Sequence, residues 1–119
     1  MKTRISILLL LVTTVQYITA QKMDPQKMAD YQTKIMTEEL ELNESQKKRV
    51  TELNLEFSKK QAELMNREGS MFSKMGDVKR IGKEKNAAME EILTKEQMEK
   101  YEDHIQPQMR KHMRQKMKG

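Results

Sequence analysis

Apolar positions in this chain recur at steps of three and four and nowhere alternate with polar ones, so the pattern predicts helices and no sheet. Asp24 and Pro25 open a first helix, the aspartate as its cap and the proline where a missing N–H costs nothing. Met28, Tyr31, Ile35 and Met36 then share one face, up to about Leu40. A second helix follows Asn43 and carries the best core stripe, Val50, Leu53, Phe57 and Leu64. Gly69-Ser70 and Gly76-Asp77 interrupt the pattern. Because glycine costs about 1 kcal/mol against alanine inside a helix, this segment reads as a turn, a hinge or a weakened helix. A third helix is expected from about Val78 to Ile92, with Ile81, Ala88 and Ile92 inward. A fourth starts at Lys95, carries Met98, Tyr101 and Ile105, and should end or kink near Gln106, ahead of Pro107.

Two of these helix starts are worded alike. Leu42-Asn43-Glu44-Ser45-Gln46 and Leu93-Thr94-Lys95-Glu96-Gln97 each place a leucine before an oxygen-bearing residue and a glutamine three positions later. Asn43 or Thr94 can accept from the free N–H of the third helical residue, while Gln46 or Gln97 reaches back to the cap's own N–H, a reciprocal arrangement that starts a helix. In the second copy Leu93 and Met98 are also spaced to close a hydrophobic staple. Residues 1–20 read as an export signal: Lys2 and Arg4 are followed by the apolar run Ile5 to Val12 and a more polar stretch ending at Ala20, where cleavage is placed. Ile18 is bulkier than the usual residue near such a cut, so the site can lie nearby. The alternative, an uncleaved anchor, has an apolar run shorter than the ~20 residues of a membrane span.

A doubled leucine, threonine, any two, glutamine signature in a small helical chain behind an export signal resembles the Spy/CpxP family of periplasmic proteins. Leu93, Thr94 and Gln97 match that signature fully, whereas Leu42, Asn43 and Gln46 depart from it at Asn43. The resemblance implies a small all-helical dimer with a cradle-like surface. Such a protein limits aggregation in the periplasm or reports envelope stress to a membrane sensor. It also extends, more distantly, to metal-sensing relatives whose ligands include histidine and methionine.

Composition narrows the architecture. Without residues 1–20, 21 basic residues face 18 acidic ones, and the chain has no cysteine, so no disulfide holds the fold. Val, Ile, Leu and Phe number only 14 in that stretch, and eleven methionines add apolar volume. The expected fold is therefore all-α: an elongated antiparallel hairpin or bundle of about four helices over residues 21–107, with a basic Met-rich tail over 108–119. So thin a core favours association of two chains, and a homodimer is expected. Glu44 and Lys48, Glu56 and Lys60, Glu63 and Arg67, and Glu96 and Lys100 stand four apart in the favourable order.

Candidate chemistry is sparse. There is no cysteine nucleophile, phosphate loop, Gly-x-Ser-x-Gly turn or His-Glu-x-x-His helix, so no enzymatic activity and no cofactor are expected. His104, Met109, His112 and Met113 are a ligand set suited to a soft metal such as Cu(I), and they define the alternative reading as a metal-binding or metal-sensing protein. Met65, Met71, Phe72 and Met75 are the candidate client-binding residues. Between the glycines, Met71, Phe72 and Met75 are either ordinary contacts of a helix hairpin or an adaptable exposed surface. Met-rich faces repack against many apolar shapes. Such a surface fits a holdase, and the resemblance to Spy/CpxP implies the same function: an ATP-independent holdase or envelope-stress accessory protein acting on unfolded or misfolded envelope proteins. In the tail, Arg110, Lys111, Arg114, Lys116 and Lys118 surround Met109, Met113 and Met117. The segment suits an anionic membrane surface or an acidic protein segment such as a sensor's, not nucleic acid, or else it is a frayed solvated end.

Overall fold

The chain was analysed as a computed structural model that describes residues 23–118, with side chains to residue 116. The export signal expected over residues 1–20 lies outside the described residues. Helix α1 spans Pro25–Leu40, α2 Glu44–Asn66, α3 Met71–Glu90, α4 Lys95–Lys100 and α5 Gln106–Lys118. A π turn, Tyr101–Ile105, joins α4 to α5, so these last segments form one continuous rod and the fold is an antiparallel bundle of four helical rods. No strand occurs among the described residues. The connections between rods are short, which obliges successive helices to run antiparallel and side by side. At a rise of 1.5 Å per residue, the 23 residues of α2 make a rod about 35 Å long.

Each start is fixed by local chemistry. The Asp24 carboxylate accepts from the Gln26 and Lys27 N–H groups with Pro25 in the first turn, and Ser70 caps α3 by accepting from the Ser73 N–H at 3.2 Å. Gly69 turns the chain between α2 and α3 at φ +121°, a conformation that side chains rarely adopt.

The third helix begins seven residues earlier than the glycines suggest, at Met71. Tertiary bonds outweigh the cost of Gly76. The buried Lys74 ammonium donates to the carbonyl oxygens of Met65 and Arg67 at the end of α2, and Asp77 pairs with Arg67 at 3.7 Å and Arg80 at 3.3 Å. Pro107 likewise does not end the fourth rod. The chain widens into the π turn just before it, the Gln106 N–H donating to the Tyr101 carbonyl, and the helix continues to Lys118. Of the i,i+4 pairs expected, Glu56 and Lys60 meet at 3.6 Å; Arg67 turns instead to Asp77, and Lys100 donates to the Glu39 carbonyl oxygen at 2.8 Å.

The core forms two apolar layers. One gathers Met36, Leu40, Val50, Met89, Leu93, Met98, Tyr101 and Ile105; the other gathers Phe57, Leu64 and Ile81. The second-helix stripe and the inward residues of the fourth rod are as expected, except that Leu53 is half-buried. On α1 the buried face is Ala29, Gln32, Met36 and Leu40; Met28, Tyr31 and Ile35 are half-buried, because the face is rotated to bring Gln32 inward. On the third rod Met89 takes the interior place expected of Ala88 and Ile92, which are half-buried.

Candidate functional site

The two look-alike helix starts meet. Asn43 Oδ1 accepts from the Gln46 N–H at 2.8 Å while Gln46 Oε1 accepts from the Asn43 N–H at 3.2 Å. Thr94 Oγ1 accepts from the Gln97 N–H at 3.2 Å while Gln97 Oε1 accepts from the Thr94 N–H at 2.9 Å. Both capping boxes are therefore closed. Beyond that, the glutamines bond to each other. Gln46 Nε2 donates to Gln97 Oε1 at 2.7 Å, and Gln97 Nε2 donates to Gln46 Oε1 at 3.3 Å. Each remaining amide proton goes to the end of the other hairpin's incoming helix: Gln97 to the Leu40 carbonyl at 3.0 Å, Gln46 to the Ile92 carbonyl at 3.2 Å. Leu42 and Leu93 pack against the apolar layer beneath. The node is thus a pseudo-symmetric clasp that locks one helical hairpin to the other.

The opposite end of the bundle is different. There α2 turns into α3, and Met71, Phe72 and Met75 stand on the first turns of α3 with exposures of 51%, 90% and 48%. They are not the hairpin contacts that formed one of the two sequence expectations; their side chains are exposed. Met65 is half-buried at the end of α2, with its carbonyl oxygen held by Lys74 at 3.3 Å. Asn66 fastens this end to the start of α1, accepting from the Met23 N–H at 3.1 Å and donating to the Met23 carbonyl at 3.3 Å. Further along the same hairpin, Lys60, Glu63, Arg67, Asp77, Arg80 and Glu84 rim a shallow groove of about 200 Å³ whose floor is Leu64 and Ile81. The tip therefore combines bare apolar side chains with an adjoining rim of mixed charge.

Between the two core layers lies a polar belt that hydrophobic patterning misses. Lys85, one turn from Ile81 and one from Met89, is buried and donates to Gln32 Oε1 at 2.8 Å. Its burial pushes the ammonium down to about 8 from an ordinary 10.5. Asn54 donates to Thr33 Oγ1 at 3.0 Å, while Asn54 Oδ1, Ser58 Oγ and Gln61 Oε1 are buried without a partner among the described residues. Burial also pushes the Tyr101 phenol up to about 12. The signal that points to Lys85 is its place on an otherwise apolar stripe, Ile81-Lys85-Met89.

Of the four residues of the metal reading, Met109, His112 and Met113 lie on α5 and His104 in the π turn before it. Met109 packs on the larger apolar layer, the His112 ring stacks on Tyr31 at 3.8 Å between centroids, His104 is exposed and Met113 is half-buried. Among the described residues no group of three or more His, Cys, Asp or Glu is placed to hold a metal ion, and no helix is long and apolar enough to cross a membrane. Arg110, Lys111, Arg114 and Lys116 are exposed on α5.

Fold and site together define a small antiparallel helical bundle, clasped at one end by paired capping glutamines and bare at the other. The chain belongs to the family described as a domain of unknown function (DUF4890), whose model matches residues 16–101, a stretch that contains both helix-start motifs and the apolar tip. No curated protein and no solved structure matches the chain.

Proposed function

We propose that this chain is an exported, periplasmic, ATP-independent holdase or envelope-stress accessory protein of the Spy/CpxP kind, acting on exposed apolar segments of unfolded or misfolded envelope proteins. The observation that carries the reading is Phe72, a phenylalanine left 90% exposed between two half-exposed methionines. A large apolar side chain in water forgoes about 1.5–3 kcal/mol of burial, a cost recovered when a partner covers it. Flexible thioethers on either side allow the surface to adapt to unlike sequences, and the charged rim keeps the tip soluble while it waits. The duplicated clasp supports kinship with Spy/CpxP, and the apolar run near the N-terminus supports export. Two chains associate in this reading, and the exposed bases of α5 are available to an anionic membrane surface or a membrane sensor protein.

The test is suppression of aggregation of an unfolding client at near-stoichiometric ratio without nucleotide, alongside sedimentation of the same sample. Wild type should suppress, and Phe72→Ser with Met71→Ser and Met75→Ser should suppress several-fold less at unchanged helicity. Equal suppression by that triple variant would place client binding elsewhere, no suppression by wild type would remove the holdase reading, and a clean monomer at micromolar concentration would remove the dimer.

A further inference from the structure

Among the described methionines, five are half-buried, and the rest stand at the two extremes of cover. Met36 and Met89 are fully covered and Met98 nearly so, whereas Met71 and Met75 stand about half exposed, one helical turn apart, on either side of Phe72 in sequence. In a chain without cysteine, thioether sulfurs are the softest nucleophiles present, and their oxidation follows access.

We propose that Met71 and Met75 are a reversible oxidation site, and that peroxide acting there converts the apolar tip into a polar one while leaving the bundle folded. A sulfur lone pair takes one oxygen atom from hydrogen peroxide. The O–O bond breaks, an S–O bond forms, the sulfur gives up two electrons, and the other oxygen leaves as water. The product sulfoxide is polar and a strong hydrogen-bond acceptor, so a side chain that adapted to apolar partners now favours water. Cover protects Met36 and Met89, whose oxidation would disrupt packing, while Met71 and Met75, the most exposed of the described methionines, contribute to neither apolar layer. The consequence for client binding rests on the holdase reading. The site and its effect on surface polarity do not.

The experiment is graded hydrogen peroxide treatment of the folded exported chain, read by peptide mass mapping, far-UV circular dichroism and binding of a hydrophobic dye. Met71 and Met75 should gain oxygen on the order of tenfold faster than Met36 and Met89. Helicity should hold, and dye binding should fall several-fold and return after methionine sulfoxide reductases A and B with a dithiol, which is oxidised to its disulfide as the sulfoxide oxygen leaves as water. The M71L/M75L variant should bind dye as wild type does and keep that binding through the same treatment. Equal oxidation at covered and exposed methionines, unchanged dye binding after oxidation of both sites, or equal peroxide sensitivity in M71L/M75L would each overturn the proposal. If unoxidised wild type fails to protect clients, the holdase reading falls alone, since mapping and dye binding decide the oxidation site by themselves.

Discussion

Gln46 and Gln97 each use both donors and both acceptor directions of one amide, and each does so for three different parts of the chain. Alanine at either position strands half of the partner's amide, an N-cap N–H and a helix-end carbonyl. Partly buried groups left without partners cost about 1–3 kcal/mol, so each single variant should lose roughly 2 kcal/mol of stability in urea denaturation. The double variant should lose about 1 kcal/mol less than the sum, because the second substitution removes a group the first had already stranded. Full additivity would mean that the glutamines serve only their own caps. Glutamate at position 97 separates the roles further. A carboxylate still accepts from the Thr94 N–H but has no proton for Leu40 and Gln46, so Gln97→Glu should keep the helix start and still destabilise the clasp.

At the scale of elements, what sequence makes legible is what short-range chemistry decides. Asp24, Asn43 and Thr94 start helices in this fold because capping needs only residues within three positions, and Val50, Phe57 and Leu64 turn inward because their spacing leaves no other face. The α3 start was obscured because Gly69 and Gly76 flank it: Ser70 supplies a local cap, but the bonds that offset Gly76, Lys74 to the end of α2 and Arg67 to Asp77, cross the turn and leave no mark on hydrophobic spacing. The inward turn of Gln32 and Lys85 was less legible, since the two residues that bond to each other stand 53 positions apart in sequence. At the tip, the residue types named the candidates, but only the packing decided that Phe72 stays bare. Helix α3 also yields a test of how far it is held by its neighbours. A Cβ added at Gly76 or Gly82 meets nothing within 4 Å, so neither glycine serves a close approach. Gly76→Ala and Gly82→Ala should each stabilise by about 1 kcal/mol, raising the thermal midpoint by several degrees. A loss of stability in either would mean that α3 must bend there.

For the whole molecule, the polar belt makes stability depend on pH in a way that a purely apolar bundle would not. Burial holds Lys85 at about 8 against 10.5 in the unfolded chain. Between those values the unfolded chain keeps a proton that the folded chain has released, so folding stability rises with pH across that window, by up to about 3 kcal/mol. Tyr101 acts in the opposite sense. Its phenol is held at about 12 against an ordinary 10, so above pH 10 the unfolded chain loses its proton first and stability falls. The two opposed slopes predict a maximum near pH 10, well above the usual range. Urea midpoints measured from pH 7 to 11 check this directly. Lys85→Met supplies the control. It removes a buried cation at the expense of Gln32's hydrogen bond, so at pH 7 it should be neutral or stabilising by about 1–2 kcal/mol, and the rise above pH 8 should vanish. A variant that kept the rise would move its origin away from Lys85, and a wild-type profile flat from pH 8 to 10 would mean that water reaches the belt.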